Sequence, residues 1–183
     1  MCLMDSELLL RGAGEEDVKV LNAWWNDGAV MAHAGFPDGL NQPLEETLRL
    51  VRAYAASADR GLWIILHRGT PIGESSWQLV DSATARCGWK ICEADYQNRG
   101  LGPRVIRMTL SWLFSDEGLR ARHPITSVIW DTNLNNTRAQ LVYEHKIGAE
   151  RLGVRENSWQ DQRGVWQTAV DYRVTRERFL NQS

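Results

Sequence analysis

Runs of apolar residues divide the chain into segments with strand-like and helix-like spacing. Residues 62–67 form a continuous apolar run, which is typical of a central strand buried on both faces. Residues 72–80 and 86–92 follow after short polar turns, so the three runs together predict an antiparallel meander. Further strands are predicted at residues 7–11, 126–131, 151–155 and 165–174.

Four other segments place apolar residues at intervals of three and four, the spacing of an amphipathic helix. In the first of them, Val18, Leu21, Trp24 and Trp25 share one face. The predicted helices cover residues 15–26, 43–55, 104–117 and 137–146. The element order β-α-α-β-β-β-α-β-α-β-β predicts an α/β fold of the α+β type, with a mixed, mostly antiparallel sheet of about seven strands flanked by about four helices. The strand–helix–strand unit at residues 85–131 is expected to be its parallel part.

Composition indicates an ordinary globular protein. The apolar fraction is 43%, the charged fraction is 24% and the net charge is −2, so the charge predicts binding neither to nucleic acid nor to a membrane surface. No linker or repeat interrupts the pattern, which predicts one domain over residues 1–183. The N-terminus lacks signal-peptide features, and no segment is apolar enough for a transmembrane helix. Cys2, Cys87 and Cys92 have no disulfide or metal-site spacing, so a cytoplasmic location and no metal are expected.

The most informative stretch is the sequence QNRGLG at residues 97–102, between the predicted strand ending at Cys92 and the predicted helix beginning at Arg104. Two glycines allow a tight turn and a close approach of the backbone to a ligand. Pro103 suits the first position of a helix, where its missing N–H costs nothing. The loop amides and the positive end of the helix dipole then form an anion site suited to a phosphate or pyrophosphate. The competing interpretation is a helix start whose glycines have no ligand.

A second motif, DTNLNNTRAQLVYEHKIG, occupies residues 131–148. Together with the glycine loop and the element order, it resembles the GNAT superfamily of acetyl-coenzyme-A-dependent N-acetyltransferases, over residues 7–174. The closer resemblance is to the branch with ribosomal-protein N-terminal acetyltransferases and small-amine acetyltransferases. It implies a GNAT fold, acetyl-coenzyme A (acetyl-CoA) as cosubstrate, and acetyl transfer to a primary amine by direct attack in a ternary complex.

The resemblance also implies which positions hold acetyl-CoA. In the family, the loop amides bind the pyrophosphate, and the end of the preceding strand pairs with pantetheine. An amide at that strand end also holds the thioester carbonyl, and an asparagine contacts pantetheine. The matching residues here are Ile91, Cys92, Glu93, Gln97, Asn98, Arg99, Gly100, Leu101, Gly102, Pro103, Arg104 and Asn136.

Two catalytic roles follow from the same resemblance. Tyr143 matches the tyrosine that acts as general acid for the departing thiolate, and Asp131 matches a position where some members carry a carboxylate base. An amine with a pKa of about 10 must lose a proton, and the leaving thiolate is helped by gaining one. Glu74, Glu93 and Asp95 compete for the base role, directly or through water. The competing interpretation makes Tyr143 a core residue and Asp131 a helix or turn cap.

Three positions depart from the family pattern. The segment from Tyr143 to Gly148 is one residue longer than usual, which predicts a bulge in the last helical turn. Ala149 replaces an aromatic residue, and Lys90 replaces a glutamate of branch relatives, so no base role is expected at Lys90. Cys92 lies near the expected thioester position, but a buried apolar residue is favoured there over a nucleophile.

The sequence leaves the acceptor amine open. A protein N-terminal amine and a small amine both fit the resemblance. The candidate acceptor-pocket residues are Trp24, Trp25, His33, Phe36 and Trp159, with core packing as the competing interpretation for the aromatic residues and a surface position for His33. A homodimer is expected by resemblance only. The rival functions are a non-catalytic acyl-CoA-binding sensor or scaffold and a transferase of longer acyl groups.

Overall fold

The computed structural model describes residues 2–182, and their backbone forms one sheet of eight strands. The strands are β1 (Cys2–Asp5), β2 (Leu8–Gly12), β3 (Arg60–His67), β4 (Thr70–Leu79), β5 (Thr84–Ile91), β6 (Ser127–Asn133), β7 (Glu150–Gln160) and β8 (Trp166–Thr175). Their order across the sheet is β1-β2-β3-β4-β5-β6-β8-β7. Neighbouring strands are antiparallel, except for the parallel pair β5 and β6.

Helices cover both faces of this sheet. The α-helices are α1 (Val18–Asn26), α2 (Gly28–Met31), α3 (Leu44–Ala55), α4 (Leu101–Ser115), α5 (Glu117–Arg122), α6 (Thr137–Leu141) and α7 (Arg176–Leu180). A π-helical turn, Val142–Lys146, continues α6, and 3₁₀ turns lie at Glu15–Asp17, Ala32–Ala34 and Ala94–Tyr96. In the described part of the chain, none of the helices has the length and apolar character that a membrane span requires.

Two hydrophobic cores occupy the two faces of the sheet. On one face, α4 packs Leu110 into a core that includes Trp63 of β3. On the other, α1 and α3 contribute Leu21 and Val51 to a core that includes Ile64. Successive strand residues point to opposite faces, so the neighbours Trp63 and Ile64 enter different cores. These two faces are named the α4 face and the α1 face.

The sheet opens between β5 and β6. These strands pair over only three residues, ending at Arg86 opposite Ile129. Beyond that point β5 stays paired with β4 up to Ile91, and β6 stays paired with β8 up to Asn133. The two strands therefore diverge, and the gap between them exposes peptide groups that no neighbouring strand satisfies.

The predicted fold class is confirmed, with differences in the count of elements. The sequence pattern missed β1, because a four-residue edge strand that pairs only with β2 carries too little alternation to stand out. It also missed α2, α5 and α7. These helices have only four to six residues, which is too short to show apolar residues at positions i, i+3, i+4 and i+7. The helix predicted to end at residue 117 ends earlier. Helix α4 ends at Ser115, and Gly118 lies inside α5, whose first turn is capped by Asp116 through the Leu119 amide (2.7 Å).

The start of α4 also differs from the prediction. The helix begins at Leu101 instead of Arg104, directly after Gly100, which has a left-handed conformation. Pro103 is therefore the third helical residue and not the first. It is tolerated there because the first amides of a helix have no partner within the helix.

Candidate active site

The gap between β5 and β6 opens into a cleft of about 750 Å³. Its walls come from β4 to β7, the start of α4, the α6 segment and α2. Because alternate strand residues face opposite sides, the cleft has two chemically different walls. Trp89 and Trp130 lie on the α4 face, whereas Glu74, Lys90 and Asp131 lie on the α1 face.

At one end of the cleft, residues 97–102 turn tightly into α4. Asn98 (φ 59°) and Gly100 (φ 73°) adopt left-handed conformations, which are easily reached by glycine and tolerated by asparagine. The amides of Gly100, Leu101 and Gly102 find no protein acceptor within residues 2–182. These amides and the positive end of the α4 dipole form a surface suited to an anion. The predicted strand–loop–helix geometry is therefore present.

Gln97 ties this turn to both sides of the gap. Its Nε2 donates to the carbonyl of Ile91 (3.0 Å), and its Oε1 accepts from Nη1 of Arg138 (2.9 Å). Arg138 lies in α6 and lines the cleft beside the loop, where it adds positive charge to the surface suited to an anion. The sequence interpretation missed Arg138 and Lys146, both of which line the cleft. The available signal for Arg138 was a cation at a helix start, where the helix dipole disfavours it.

The side chains of two arginines in the predicted acetyl-CoA set, Arg99 and Arg104, have contacts within the protein. Arg104 donates to Oδ2 of Asp5 (2.9 Å) and to Oγ of Ser6 (3.1 Å), at the turn after β1. The guanidinium of Arg99 lies 5.5 Å from the ring centroid of Tyr96 and is exposed. Neither side chain lines the cleft, so the prediction for Arg104 is corrected. The prediction for Arg99 concerned its backbone amide and stays a prediction.

The end of β5 also corrects a prediction. The amides of Cys92 and Glu93 donate to the carbonyl of Ile72 (2.8 and 3.1 Å), so neither is free for a ligand. Along an antiparallel ladder, peptide groups alternate in direction, which turns those of Ile91 toward the gap. The contact of the Ile91 carbonyl with Gln97 agrees with that direction. Ile91 therefore remains the candidate amide at this strand end.

The side chains of Cys92 and Glu93 also do not line the cleft. The Cys92 thiol is buried in the core of the α1 face, and this burial raises its pKa well above the usual range. A thiol in that state does not become a thiolate nucleophile. Oε1 of Glu93 accepts from Nε1 of Trp24 (2.8 Å), and neither Glu93 nor Asp95 lines the cleft. Of the competing carboxylates, only Glu74 shares the cleft with Asp131.

Tyr143 lies on the α4 face of the cleft, opposite Glu74 and Asp131. It belongs to the π-helical turn, and 9% of its surface is exposed. Its ring packs edge-on against Trp130 (5.4 Å between centroids) and Tyr172 (5.3 Å). No hydrogen-bond partner of its hydroxyl is found among residues 2–182, and the residue lines the cleft. Burial, and secondly the negative charge of Asp131, raise the pKa of Tyr143 to about 12. The phenol is thus a protonated donor at neutral pH.

The extra residue predicted after Tyr143 produces the expected bulge. Val142–Lys146 forms a π-helical turn, in which the Ile147 amide donates to the carbonyl of Val142 (3.1 Å). A wider turn accommodates one additional residue without ending the helix. The next residue, Glu144, accepts a hydrogen bond from the hydroxyl of Tyr172 (2.8 Å). That contact holds the turn against β8. Tyr143 is therefore held by this turn and by the packing of its ring against Trp130 and Tyr172.

Asp131 and Asn136 lie on β6 and just beyond it. Asp131 is an exposed residue within β6, two positions before the strand ends at Asn133, and not at the end as predicted. No hydrogen bond or ion pair of its carboxylate is found in the described residues. Asn136 caps α6 by accepting from the Ala139 amide (3.3 Å), and its Nδ2 donates to Oγ1 of Thr132 (3.2 Å). Both Asp131 and Asn136 line the cleft.

Glu74, in contrast to Asp131, is held on both oxygens. Its Oε2 accepts from Nε1 of Trp25 (2.8 Å), and its Oε1 lies 3.1 Å from Nζ of Lys90. Its side chain is 13% exposed, so the ion pair is partly shielded from water. Among residues 2–182, no three histidine, cysteine, aspartate or glutamate side chains are grouped to hold a metal ion.

Of the predicted acceptor-pocket residues, His33 and Trp159 line the cleft. His33 comes from the 3₁₀ turn after α2, and Trp159 comes from β7. The Trp159 ring covers Gly35 so closely that a Cβ there would lie 2.4 Å from it, which requires glycine at this position. Phe36 is exposed and does not line the cleft, so its predicted contact is corrected.

The predictions for Trp24 and Trp25 are corrected as well. Both indoles are buried in the core of the α1 face and do not line the cleft. Each acts through its Nε1, which donates to Glu93 in one case and to Glu74 in the other. Trp25 therefore affects the cleft by fixing the Glu74 carboxylate and not by contacting a ligand.

The β7–β8 turn and the loop after α2 are joined by a set of contacts on the α1 side of the cleft, named the latch. Gln162 supplies three of its contacts: its amide donates to the Gly35 carbonyl (2.8 Å), its Oε1 accepts from the Asp38 amide (3.0 Å), and its Nε2 donates to the Gly39 carbonyl (2.9 Å). Arg163 adds an ion pair with Asp38. The latch places His33 and Trp159 over the same opening.

Comparisons with known proteins agree with this geometry. A family model described as an acetyltransferase (GNAT) domain matches residues 7–150. No curated protein matches the sequence. At the identities found, similar solved structures establish the fold alone.

Three solved structures illustrate the similarity. A spermidine N-acetyltransferase from Vibrio cholerae, in complex with CoA and spermine, is 16% identical with a TM-score of 0.83, covering 97% of this chain and 100% of that one. A GNAT-family acetyltransferase from Bacillus anthracis is 21% identical with a TM-score of 0.78, covering 97% and 99%. An acetyl transferase from Salmonella typhimurium that modifies the N-terminal serine of a 50S ribosomal subunit protein is 14% identical with a TM-score of 0.78, covering 96% and 99%.

Proposed function

The chain belongs to the GNAT acetyltransferase family, and we propose that it transfers the acetyl group of acetyl-CoA to a primary amine. The observation that carries the proposal is the gap between β5 and β6, which has a turn with unpaired amides at one end and has Tyr143 and Asp131 on its opposite walls. The proposal treats residues 1–183 as one acetyltransferase domain, because every described strand belongs to one sheet.

The residues on the α4 face fit coenzyme A. The unpaired amides of Gly100, Leu101 and Gly102, with Arg138 beside them, suit the pyrophosphate. Ile91 and Asn136 line the path from this turn to Tyr143 and suit the amide groups of pantetheine. The spermidine acetyltransferase with the same fold was crystallised with CoA, which supports the choice of ligand. Bound acetyl-CoA supplies a thioester carbonyl and a thiolate leaving group.

The two walls then have complementary roles in proton transfer. Asp131 takes a proton from the acceptor amine as its nitrogen forms a bond to the thioester carbonyl carbon. The inward amide of Ile91 donates to the carbonyl oxygen as negative charge develops there. Tyr143 gives its phenolic proton to the sulfur as the C–S bond breaks, which releases coenzyme A and the acetylated amine. Tyr143 is then reprotonated from solvent, and Asp131 releases its proton.

The choice of Asp131 as base is supported by its lack of partners. Glu74 already accepts hydrogen bonds from Trp25 and Lys90, so a transferred proton would have to compete with both donors. The Asp131 carboxylate faces the same cleft with its accepting capacity unused. A cytoplasmic location is part of the proposal and is supported by the free state of Cys2, Cys87 and Cys92.

The test is thiol release from acetyl-CoA with a panel of amines, for the wild-type protein and Tyr143→Phe. Loss of the general acid is expected to lower kcat by about 10²-fold or more, with little change in CoA affinity. Tyr54→Phe is the matched control, because Tyr54 lies on α3 and does not line the cleft. CoA binding without turnover on any amine would instead support a non-catalytic sensor.

A further inference from the structure

The α1 wall of the cleft carries an ammonium group that the proposed chemistry does not use. Nζ of Lys90 lies 3.1 Å from Oε1 of Glu74 and 3.0 Å from Sδ of Met31. The Lys90 side chain is 26% exposed, and the residue lines the cleft. A lysine ammonium has three donors, and a thioether sulfur is only a weak acceptor. At least one strong donor of Lys90 is therefore left for a ligand in the cleft.

The position of this ammonium is fixed from behind. Trp25 holds one oxygen of Glu74, and Glu74 in turn holds Lys90. Trp25 is itself buried in the core of the α1 face, so the packing of this core fixes the positions of Glu74 and Lys90. A cation held this way directs its free donor more consistently than a mobile surface lysine does.

The α1 wall of the cleft carries two carboxylates, Glu74 and Asp131, beside the Lys90 ammonium. Lys90 neutralises Glu74, which leaves Asp131 as a carboxylate without an ion-pair partner in the described chain. Arg155, which lies close enough to interact with Asp131, is already engaged by Asp171 through two hydrogen bonds (2.6 and 2.8 Å). Among the described residues, the α1 wall thus offers the Asp131 carboxylate, which has no ion-pair partner, and the Lys90 ammonium, which keeps an unused N–H.

We propose that Lys90 makes the enzyme selective for an amine that carries a carbonyl or carboxylate beside it, as in the N-terminal residue of a peptide. The inference rests on the proposed function. The amine of such an acceptor meets Asp131, and its adjacent oxygen accepts a hydrogen bond from Lys90. A polyamine lacks that oxygen and brings a second ammonium toward Lys90, which repels it.

The experiment compares acceptors with and without a carbonyl beside the amine. Glycinamide and propylamine are similar in size, and spermidine serves as the polyamine. The kcat/KM ratio of glycinamide to propylamine is measured for the wild-type protein and for Lys90→Met. Because each ratio is compared between variants at one pH, differences in amine basicity cancel. Lys90→Met is expected to lower this ratio by about tenfold or more, the range for a hydrogen bond to a charged group, and to raise the ratio of spermidine to propylamine.

Two further variants exclude a general structural effect. Lys90→Arg keeps the charge and is expected to retain most of the preference for glycinamide. Lys19→Met removes an exposed lysine of α1 and is expected to leave both ratios unchanged. An unchanged ratio in Lys90→Met, or a wild-type preference for spermidine over glycinamide, would overturn the selectivity while leaving the acetyltransferase proposal intact. Binding of CoA without turnover on any of the three amines would overturn both.

Discussion

On the α4 face of the cleft, the groups suited to acetyl-CoA come mostly from one short stretch of backbone, whereas the acceptor wall on the α1 face is built from distant side chains. The amides of Ile91, Gly100 and Gly102 lie within residues 91–102. The acceptor wall depends on contacts such as Trp25 with Glu74 and Gln162 with Gly39, across 49 and 123 positions of sequence. Local conformation thus defines one side, and tertiary packing defines the other.

This difference has consequences for how the two sides respond to substitution. Except for proline, a substituted residue keeps its backbone N–H, so the α4 side is sensitive mainly to residues that set the backbone conformation. The α1 side loses a contact whenever one side chain is truncated. A fold built this way can keep its cosubstrate chemistry while its acceptor changes, which fits the different acceptors named for structures that share this fold.

The largest effect is expected at Asp131, the proposed base. Asp131→Asn removes the proton acceptor but keeps the size of the side chain, so kcat is expected to fall by about 10²- to 10⁴-fold. CoA affinity, measured by calorimetry, is expected to stay close to the wild-type value, because Asp131 lies on the α1 face. Glu93→Gln is the control, since Glu93 does not line the cleft. A fall in CoA affinity as large as the fall in kcat would contradict the separation of the two walls.

A smaller effect is expected at the turn before α4. Gly100 has a φ of 73°, and a Cβ there would meet nothing within 4 Å, so Gly100→Ala introduces backbone strain without a clash. Left-handed backbone costs a residue with a Cβ about 1–2 kcal/mol. If the turn relaxes, the CoA dissociation constant is expected to rise about fivefold to thirtyfold, with little change in acceptor KM. Gly153→Ala is the control, because its Cβ also meets open space but its φ is not positive. Unchanged CoA affinity with undiminished stability would argue against a role for this turn.

The smallest effect is expected at the latch. Gln162→Ala removes two side-chain hydrogen bonds to the loop after α2, to the Asp38 amide and the Gly39 carbonyl. Each such bond contributes about 0.5–1.5 kcal/mol. The two bonds hold a loop beside the acceptor and do not contact it, so only part of this free energy affects acceptor binding, and acceptor KM is expected to rise about threefold to tenfold. CoA affinity should not change. Gln160→Ala is the control, because Gln160 lies in the same hairpin and is equally exposed, but its side chain has no hydrogen bond within residues 2–182. If Gln162→Ala weakened CoA binding and left acceptor KM unchanged, the latch would belong to the other side of the cleft.

The contrast between local conformation and tertiary packing also explains which features the sequence could predict. The turn at residues 97–102 and the bulge after Tyr143 depend on residues close together in the chain, and the structure has both features. Their geometry follows from glycine conformations, helix starts and one extra residue. The bonding of a ligand to them stays a prediction.

The errors lie where distant segments meet. Cys92 and Glu93 lose their free amides to the carbonyl of Ile72, at a register shift between β3 and β4 that no pattern in the sequence announces. Trp24 and Trp25 lie on the apolar face of α1, and apolar spacing cannot distinguish a side chain in a core from one in a cleft. The pairing of Arg104 with Asp5 spans 99 positions and depends on β1, a strand too short to be predicted.

The most direct test of the two-walled cleft is a crystal structure of the protein with coenzyme A. The account predicts the pyrophosphate against the amides of Gly100, Leu101 and Gly102, and the thiol in the gap between β5 and β6 on the Tyr143 side. It also predicts that Glu74, Lys90 and Asp131 remain open to the acceptor. Coenzyme A bound outside the gap, or with its thiol on the Glu74 side and away from Tyr143, would contradict it.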